Sequence, residues 1–232
     1  MRRYAIILGA CFVVFFASCH KIEEPIRFSI LGDSYSTFEG YVNPESNDVW
    51  YHYPPDNYND VTEVNQMWWW QLVDSIGWQL EKNNSFSGSF ICNMDYVNYY
   101  GAHSFLRRMD DLGNPNVIFV FGGTNDVVFH APLGDFVFED WTEEQLCTFR
   151  PALAYLFFEL KKRYSQAKLY FMLDLSLDDA FIAATHRIAQ YYDVQCVDLH
   201  DIEKYWNHPT IAGQTTIAQQ VLNALALDGF IF

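Results

Sequence analysis

The sequence is poor in positive charge. Its 14 Lys and Arg residues stand against 29 Asp and Glu residues, so the formal net charge is -15. The longest cluster of basic residues is Lys161-Lys162-Arg163. Because a field of this sign repels phosphate backbones and anionic lipid surfaces, nucleic acid is excluded as an expected partner, and so is charge-driven binding to a membrane.

Cysteine is scarce, and the spacings typical of metal and dinucleotide sites are missing. The 5 Cys residues show no C-x-x-C pair, and the 7 His residues show no H-E-x-x-H motif. A disulfide framework and a zinc site are therefore not expected, although one disulfide among Cys92, Cys147 and Cys196 and buried free thiols both stay open. Gly122-Gly123 lacks the third Gly of a dinucleotide fingerprint, so the sequence predicts no metal and no cofactor.

The N-terminus carries an apolar stretch, from Tyr4 to Phe16, that is too short to cross a bilayer comfortably. It follows Met1-Arg2-Arg3 and is followed by the small residues Ala17 and Ser18, which predicts a signal peptide over residues 1–18. Phe16-Ala17-Ser18-Cys19 resembles a bacterial lipobox, which implies lipid attachment at Cys19 and a tether over 19–25. We therefore expect a bacterial envelope protein held at the membrane by its lipid anchor only. An ordinary signal peptide with a chance Cys is the alternative.

The rest of the sequence is rich in core-forming residues. Half of the residues are apolar, and 18% are aromatic. A chain of this composition can bury a large core, and no repeat or linker interrupts it. The sequence thus predicts one domain over 26–232.

Short apolar segments alternate with longer amphipathic ones. Buried strands are predicted at 27–31, 116–121, 167–173 and 194–199, and helices at 142–164, 179–192 and 211–225. This order implies a parallel sheet with helices on both faces, whose ligand site lies beyond the carboxyl ends of the strands.

One long segment, 37–65, has no sustained period and contains Pro44, Pro54 and Pro55. Because irregular segments of this length are usually functional or disordered and this one is rich in aromatic residues, we expect it to pack over the active-site edge. Its rings, from Trp50 to Tyr58, suit either the core or a cleft that stacks sugar rings. Of Trp68-Trp69-Trp70, at the start of a helix, one or two are expected in the core.

Polar residues follow two of the predicted strands. Gly32-Asp33-Ser34 ends the first, where a strand-to-helix turn would present a nucleophilic hydroxyl. The alternative is a simple turn in which Ser34 caps a helix. Gly123-Thr124-Asn125-Asp126 follows the second strand, at the same edge of the sheet.

Four stretches together resemble the SGNH hydrolases, also called GDSL esterases. They are Gly32-Asp33-Ser34-Tyr35-Ser36, Asn84-Ser85-Phe86-Ser87-Gly88-Ser89, Gly123-Thr124-Asn125-Asp126 and His208-Pro209. The resemblance implies a three-layer α/β/α sandwich with a parallel, flavodoxin-like five-stranded sheet. It also implies a Ser34 nucleophile, a His208 base, and an oxyanion hole formed by Ser34, Gly88 and Asn125.

The sequence departs from this family three residues before the His. Members usually carry an Asp there, which orients the imidazole, whereas this chain has Tyr205. Either Asp201 or Glu203 reaches the imidazole from another turn, or a backbone carbonyl holds His208 in a Ser-His dyad. We favour the dyad.

The expected activity is hydrolysis of a small-molecule or glycan ester, with acetyl or another short acyl group on carbohydrate as the favoured substrate. An acidic protein favours a neutral ester over an anionic one. The alternatives are a lipase or thioesterase acting on longer acyl chains, and a non-catalytic glycan-binding lipoprotein.

Overall fold

The computed structural model describes residues 24–42, 47, 49–94 and 102–230. The predicted signal peptide, Cys19 and most of the predicted tether lie outside the described residues. Within the described ranges, no helix is long and apolar enough to span a bilayer.

Five parallel strands form the central sheet. They are β1 (Arg27–Gly32), β2 (Gln79–Ser85), β3 (Val117–Phe121), β4 (Lys168–Asp174) and β5 (Gln195–Leu199). Their order is β2-β1-β3-β4-β5, and every neighbouring pair is parallel. This is the flavodoxin-like order, so the predicted sheet is confirmed.

Helices cover both faces of the sheet. They are α1 (Trp68–Ile76), α2 (Phe105–Arg108), α3 (Thr124–Val128), α4 (Phe149–Arg163), α5 (Asp179–Tyr192) and α6 (Ile211–Leu227). The α1 and α6 helices pack on one face, and α4 and α5 pack on the other. The predicted three-layer α/β/α sandwich is therefore confirmed. Between β5 and α6 a two-stranded antiparallel hairpin is formed by β6 (Lys204–Tyr205) and β7 (His208–Pro209).

The core lies on both sides of the sheet because the strands β3 and β4 are apolar on both faces. In β3, Phe119 and Phe121 pack with α1 and α6, while Ile118 and Val120 pack with α4 and α5. Continuous apolar runs of this kind are typical of strands buried on both faces. Trp68 and Trp69 are fully buried under the first face and Trp70 is half-buried, as predicted for this triplet.

The structure differs from the sequence-based elements at β2, which was not among the predicted strands. Its sequence, QLEKNNS, is polar, yet Asn83 and Asn84 are buried. Asn83 Nδ2 donates to the carbonyl of Ser36 (2.9 Å), and Asn84 Nδ2 donates to the carbonyl of Arg108 (2.9 Å). These amides can be buried because they have hydrogen-bond partners. Strand prediction depends on buried positions being apolar, so it did not detect β2.

The start of one helix also differs from the sequence-based prediction. The α4 helix begins at Phe149 rather than at 142, because the preceding residues form a separate 3₁₀ turn, Gln145–Cys147. Pro151 then sits in the first helical turn, where its missing N–H removes no helical hydrogen bond. The α2 and α3 helices have 4 and 5 residues and are too short to show a helical period.

Two of the thiols discussed above are free. Cys92 is buried and Cys196 is partly buried, and neither forms a disulfide. Burial raises the pKa of both thiols, that of Cys196 to about 12. They are therefore protonated at neutral pH and poor nucleophiles.

Candidate active site

Three neighbouring strands end at one edge of the sheet and lead into the predicted site. Gly32 at the end of β1 lies opposite Ser85 of β2 and Phe121 of β3. The chain then turns into loops and short helices that carry Ser34, Gly88 and Asn125. These three residues and His208 line one cleft of about 520 Å³. That volume is within the range of small-molecule sites.

Ser34 begins a short 3₁₀ turn that is tied down on both sides. The Asp33 side chain accepts a hydrogen bond from the backbone N–H of Tyr35 (3.0 Å), which caps the turn. At its far end, the indole N–H of Trp69 donates to the carbonyl of Ser36 (3.0 Å). Ser34 is therefore presented from a fixed backbone, and 7% of its surface is exposed, toward the cleft.

His208 lies on the β6–β7 hairpin and contacts the serine directly. Its Nε2 is 2.8 Å from Ser34 Oγ, and its Nδ1 is 2.9 Å from the carbonyl oxygen of Trp206. Because a carbonyl oxygen only accepts, the proton of a neutral imidazole is on Nδ1. Nε2 then carries the lone pair that accepts the Ser34 hydroxyl proton.

The hairpin turn that supplies this carbonyl has an uncommon backbone. Trp206 and Asn207 both have positive φ angles, +48° and +60°, as in a type I′ turn. For a bulky residue such as Trp this costs on the order of 1–3 kcal/mol. Two buried hydroxyls hold the hairpin, since Tyr35 donates to the carbonyl of Asn207 (2.6 Å) and Tyr51 to that of Pro209 (2.7 Å).

Neither carboxylate suggested as an orienter of His208 bonds to it. Asp201 pairs with the neighbouring His200 (2.9 Å), and its side chain is 91% exposed. Glu203 accepts from the hydroxyl of Thr210 (2.7 Å). That suggestion is thus corrected for both residues, because each carboxylate is used locally and the backbone of Trp206 occupies Nδ1.

The surroundings of His208 keep its imidazole neutral. Burial lowers the pKa of His208 to about 4; the hydrogen bond to Trp206 opposes this shift, and the nearby Lys204 cation adds to it. The indole of Trp50 lies flat on the imidazole, with ring centroids 3.5 Å apart and planes 7° apart. At pH 7 the ring is thus unprotonated at Nε2 and able to act as a base.

Two groups placed beside Ser34 can donate hydrogen bonds into the cleft. Gly88 has a φ of +74°, which favours glycine, and its backbone N–H makes no hydrogen bond to any described residue. Asn125 donates one amide hydrogen to the carbonyl of Ser89 (2.9 Å), which leaves its second hydrogen for another acceptor. The structure thus brings all four residues singled out by the resemblance to one cleft.

The residue after Asn125 fixes the same loop. Asp126 is fully buried and accepts from the backbone N–H groups of Ile91 (2.9 Å) and Cys92 (3.3 Å). Burial raises the pKa of Asp126 to about 6, so it remains largely ionised at neutral pH. Two consecutive side chains of α3 therefore hold the segment that follows Gly88.

Arg108 is a buried cation that the sequence analysis missed. Its guanidinium donates to the carbonyl of Gly32 (3.0 Å), the hydroxyl of Ser89 (3.0 Å), the carbonyl of His103 (2.7 Å) and the carbonyl of Asn84. Burial lowers its pKa to about 9, which still leaves it charged at neutral pH. It ties the ends of β1 and β2 to the Gly88 loop. No sequence motif marks it.

Asp33 is buried beside these groups. Its Oδ2 atom has no hydrogen-bond partner among the described residues, and desolvation raises its pKa to about 7. The neighbouring Asp126 carboxylate raises the pKa further, while the hydrogen bond from Tyr35 and the charge of Arg108 lower it. The carboxyl group of Asp33 therefore holds its proton more readily than that of an ordinary Asp.

The described part of the 37–65 segment packs over this edge, as predicted. Its contribution to the cleft wall is Val49, Trp50, Asp56, Tyr58 and Asn59. Tyr51 is buried, and Tyr53 is exposed outside the cleft. Trp206, Val128 and Phe129 complete the apolar wall and were not foreseen. Among the described residues no group of three side chains is arranged to hold a metal ion.

A parallel α/β/α sandwich that gathers Ser, Gly, Asn and His beyond the ends of its strands defines the SGNH class of hydrolases. The chain belongs to the GDSL-like Lipase/Acylhydrolase family, whose profile matches residues 26–225. It is accordingly an SGNH-type hydrolase and an esterase.

Solved structures show the same fold. A GDSL-like protein of Bacteroides ovatus ATCC 8483 is 44% identical, with a TM-score of 0.85 over 88% of this chain and 100% of its own. A GDSL-like protein of Bacteroides uniformis ATCC 8492 is 39% identical, with a TM-score of 0.84 over 88% and 97%. An acetyl xylan esterase of Butyrivibrio proteoclasticus is 15% identical, with a TM-score of 0.58 over 88% and 64%, and shares the fold. No curated protein matches the chain.

Proposed function

We propose that the protein hydrolyses carboxylic esters through an acyl-enzyme on Ser34, with His208 as the general base and acid. The observation that carries this proposal is the 2.8 Å contact between Ser34 Oγ and His208 Nε2, with Nδ1 of the same ring committed to a carbonyl. A serine hydroxyl is a weak nucleophile until an adjacent base takes its proton.

In the acylation step, Nε2 of His208 accepts the hydroxyl proton while Oγ of Ser34 forms a bond to the ester carbonyl carbon. The carbonyl oxygen becomes negative, and the N–H groups of Ser34, Gly88 and Asn125 stabilise it. The tetrahedral intermediate collapses, the bond to the alkoxy oxygen breaks, and the leaving alcohol takes the proton from Nε2.

Deacylation repeats these steps with water as the nucleophile. Nε2 of His208 takes a proton from the water molecule, whose oxygen attacks the acyl carbon. Ser34 Oγ then leaves and recovers the proton. The carboxylic acid formed ionises at neutral pH, and the negative charge of the protein favours its departure.

A partitioning experiment tests the acyl-enzyme. With methanol present, 4-nitrophenyl acetate and phenyl acetate should give the same ratio of methyl acetate to acetate, because both pass through one acetyl-Ser34. Ser34→Ala should give neither product above background. A ratio that depends on the leaving group, or an active Ser34→Ala, would refute the proposal. A folded wild-type protein that turns over no ester would favour the non-catalytic glycan-binding alternative.

For the substrate, we propose a short acyl group, such as acetyl, on carbohydrate. The cleft opening has exposed rings, Tyr58 and Trp206, whose faces suit a sugar ring. Its lining contains one carboxylate, Asp56, and no described Lys or Arg. Such a cleft offers no cationic side chain to an anionic substrate and accepts a neutral ester. The distant acetyl xylan esterase supports this at the level of fold alone.

A substrate panel tests the preference for a short acyl group on carbohydrate. Acetylated xylan should be cleaved with a higher kcat/KM than 4-nitrophenyl esters of eight carbons or more. Preference for the long acyl chains would support the lipase or thioesterase alternative, for which the apolar wall of Val128 and Phe129 offers a contact surface.

We further propose that the domain is anchored in the bacterial envelope through a lipid on Cys19, after removal of residues 1–18. The lipobox-like sequence before Cys19 supports this. Metabolic labelling with palmitate should mark the wild-type protein and leave Cys19→Ser unlabelled. Equal labelling of both, or labelling of neither, would refute the anchor.

A further inference from the structure

Trp50 covers one face of the imidazole of His208. The two rings are parallel within 7°, and their centroids are 3.5 Å apart, which is direct stacking contact. That face of the indole is therefore occupied, and a sugar ring cannot stack on it. A cleft-lining Trp that faces the base instead of the substrate needs another role.

A backbone hydrogen bond connects Trp50 to the end of the turn that carries Ser34. The N–H of Trp50 donates to Thr37 Oγ1 (3.1 Å), and the Thr37 hydroxyl lies 3.1 Å from the carbonyl oxygen of Ser34. Next to it, the N–H of Glu39 donates to the carbonyl of Tyr51 (2.9 Å). Movement of Trp50 relative to Ser34 is thus restricted, so the indole can fix the plane of the imidazole.

The other neighbours of His208 provide little negative charge. Tyr35 and Tyr51 contact the imidazole edge-on, with ring centroids 5.4 and 6.5 Å from that of His208. The Lys204 ammonium of β6 is paired with Asp174, and Asp56 lies elsewhere on the cleft wall. Neither Asp174 nor Asp56 bonds to the imidazole. The positive charge that forms on His208 during catalysis is therefore stabilised at Nδ1 by the neutral carbonyl of Trp206 and not by a carboxylate.

We infer that Trp50 is a positioning residue that keeps the imidazole of His208 aligned with Ser34 and stabilises its cationic form through the indole π face. Trp is the best aromatic partner for a cation, and a desolvated pair is stronger than an exposed one. With the carbonyl of Trp206 on Nδ1, the stacked indole then performs the two tasks that a carboxylate performs in a triad, orientation and charge stabilisation. This inference depends on the proposed role of His208.

The test compares Trp50→Leu, Trp50→Phe and a matched control, Trp141→Leu, on 4-nitrophenyl acetate. Trp141 is half-buried like Trp50 but packs on Tyr155 and Phe158, away from the cleft. We expect Trp50→Leu to lower kcat by about tenfold or more, from the loss of one cation–π contact, with KM changed less than twofold. Trp50→Phe should recover most of the loss.

The pH profile gives a readout that a purely structural role would not change. Leu is apolar and keeps the imidazole covered but has no π face, so Trp50→Leu should lower the pKa of His208 and move the acid limb of kcat/KM downward from about pH 4, while Trp141→Leu leaves it in place. Equal kcat and equal profiles for the two Leu variants would overturn the inference. A rise in KM alone would also overturn it, by making Trp50 a substrate contact.

Ser34→Ala in the same series separates the two claims. If Ser34→Ala is inactive and Trp50→Leu behaves like Trp141→Leu, only the role of Trp50 fails. If Ser34→Ala retains the wild-type rate, the proposed mechanism itself fails.

Discussion

His208 donates its Nδ1 proton to the backbone carbonyl of Trp206, two residues earlier in the same hairpin, at 2.9 Å. A carbonyl fixes the tautomer and the ring orientation as a carboxylate would, but it carries no full negative charge. The hydrogen bond is local in sequence and depends on the backbone angles of the turn. The side chains of Asp201 and Glu203 are therefore not required for the geometry of the base.

The first prediction concerns these two carboxylates. Asp201→Asn and Glu203→Gln should each keep kcat/KM within about threefold of wild type, since neither carboxylate touches His208. In a true triad the corresponding change can cost about 10⁴ in turnover. Steady-state kinetics on 4-nitrophenyl acetate provides the comparison. A loss of three orders of magnitude in either variant would restore that residue as the orienter.

The second prediction is the pH dependence of kcat/KM, which reports the free enzyme. His208 is a base only when neutral, and burial lowers its pKa to about 4. The rate should therefore stay level as the pH falls from 8 to about 5 and decrease about tenfold per pH unit below about 4. An ordinary His would lose activity from about pH 6.5.

Acid unfolding has to be separated from this titration. The folded protein disfavours the charged form of His208, so the contribution of this group to stability declines as the pH falls from about 6.5 through about 4, whereas Asp33 and Asp126, whose pKa values burial raises, contribute in the opposite direction. Samples held at low pH should regain full activity when returned to pH 7. An acid limb centred near pH 6.5 in reversibly treated protein would contradict the buried environment of the base.

The third prediction concerns the oxyanion hole. Asn125→Ala should lower kcat by about 10²–10³, the usual cost of one lost donor, with little change in KM. Asn223→Ala, on the exposed surface of α6, is the matched control and should retain wild-type kinetics. A loss of less than fivefold at Asn125, in a variant with unchanged Tm, would remove its side chain from the set of donors.

The fourth prediction concerns the buried guanidinium of Arg108. Arg108→Met leaves several buried carbonyls and a hydroxyl without their donor, so the free energy of unfolding should fall by about 3 kcal/mol or more. The adjacent Arg107 is exposed, and Arg107→Met should stay within about 0.5 kcal/mol of wild type. Urea unfolding measures both. Equal stabilities would mean that Arg108 does not hold the strand ends together.

Strand prediction succeeded where burial on both faces produces an uninterrupted apolar run, as in β3 and β4. It failed at β2, an edge strand in which buried Asn83 and Asn84 find hydrogen-bond partners in neighbouring loops. A prediction based on apolar residues does not detect a strand whose buried residues are amides with partners distant in sequence. The five-strand count came from the family resemblance, which supplied what the local pattern lacked.

From the sequence alone, the side chains of the candidate site could be predicted, but its backbone contacts could not. Ser34, Gly88, Asn125 and His208 stand in short stretches with a family pattern, and the strand order brings them together. The carbonyl of Trp206 has no sequence signature, because every residue has one and its direction depends on backbone angles. Asn207, a residue tolerant of positive φ, is the one faint signal of that turn.

The stacking of Trp50 on His208 was equally inaccessible, because the two residues are far apart in sequence and come together only when the 37–65 segment folds over the sheet edge. The sequence placed the rings of this segment either in the core or in the cleft. Both descriptions hold, for different residues: Tyr51 is in the core, and Trp50 is between the core and the cleft.

The most direct measurement for the central claim is labelling by a fluorophosphonate probe, read by intact mass and peptide mapping. A base that already contacts Ser34 Oγ should make that hydroxyl react, so wild-type protein should gain one label per chain, on the peptide containing Ser34. Ser34→Ala should gain none, and His208→Ala should react far more slowly. Folded wild-type protein that takes up no label, or Ser34→Ala that is labelled to the same extent, would contradict the assignment of Ser34 and His208 as the catalytic pair.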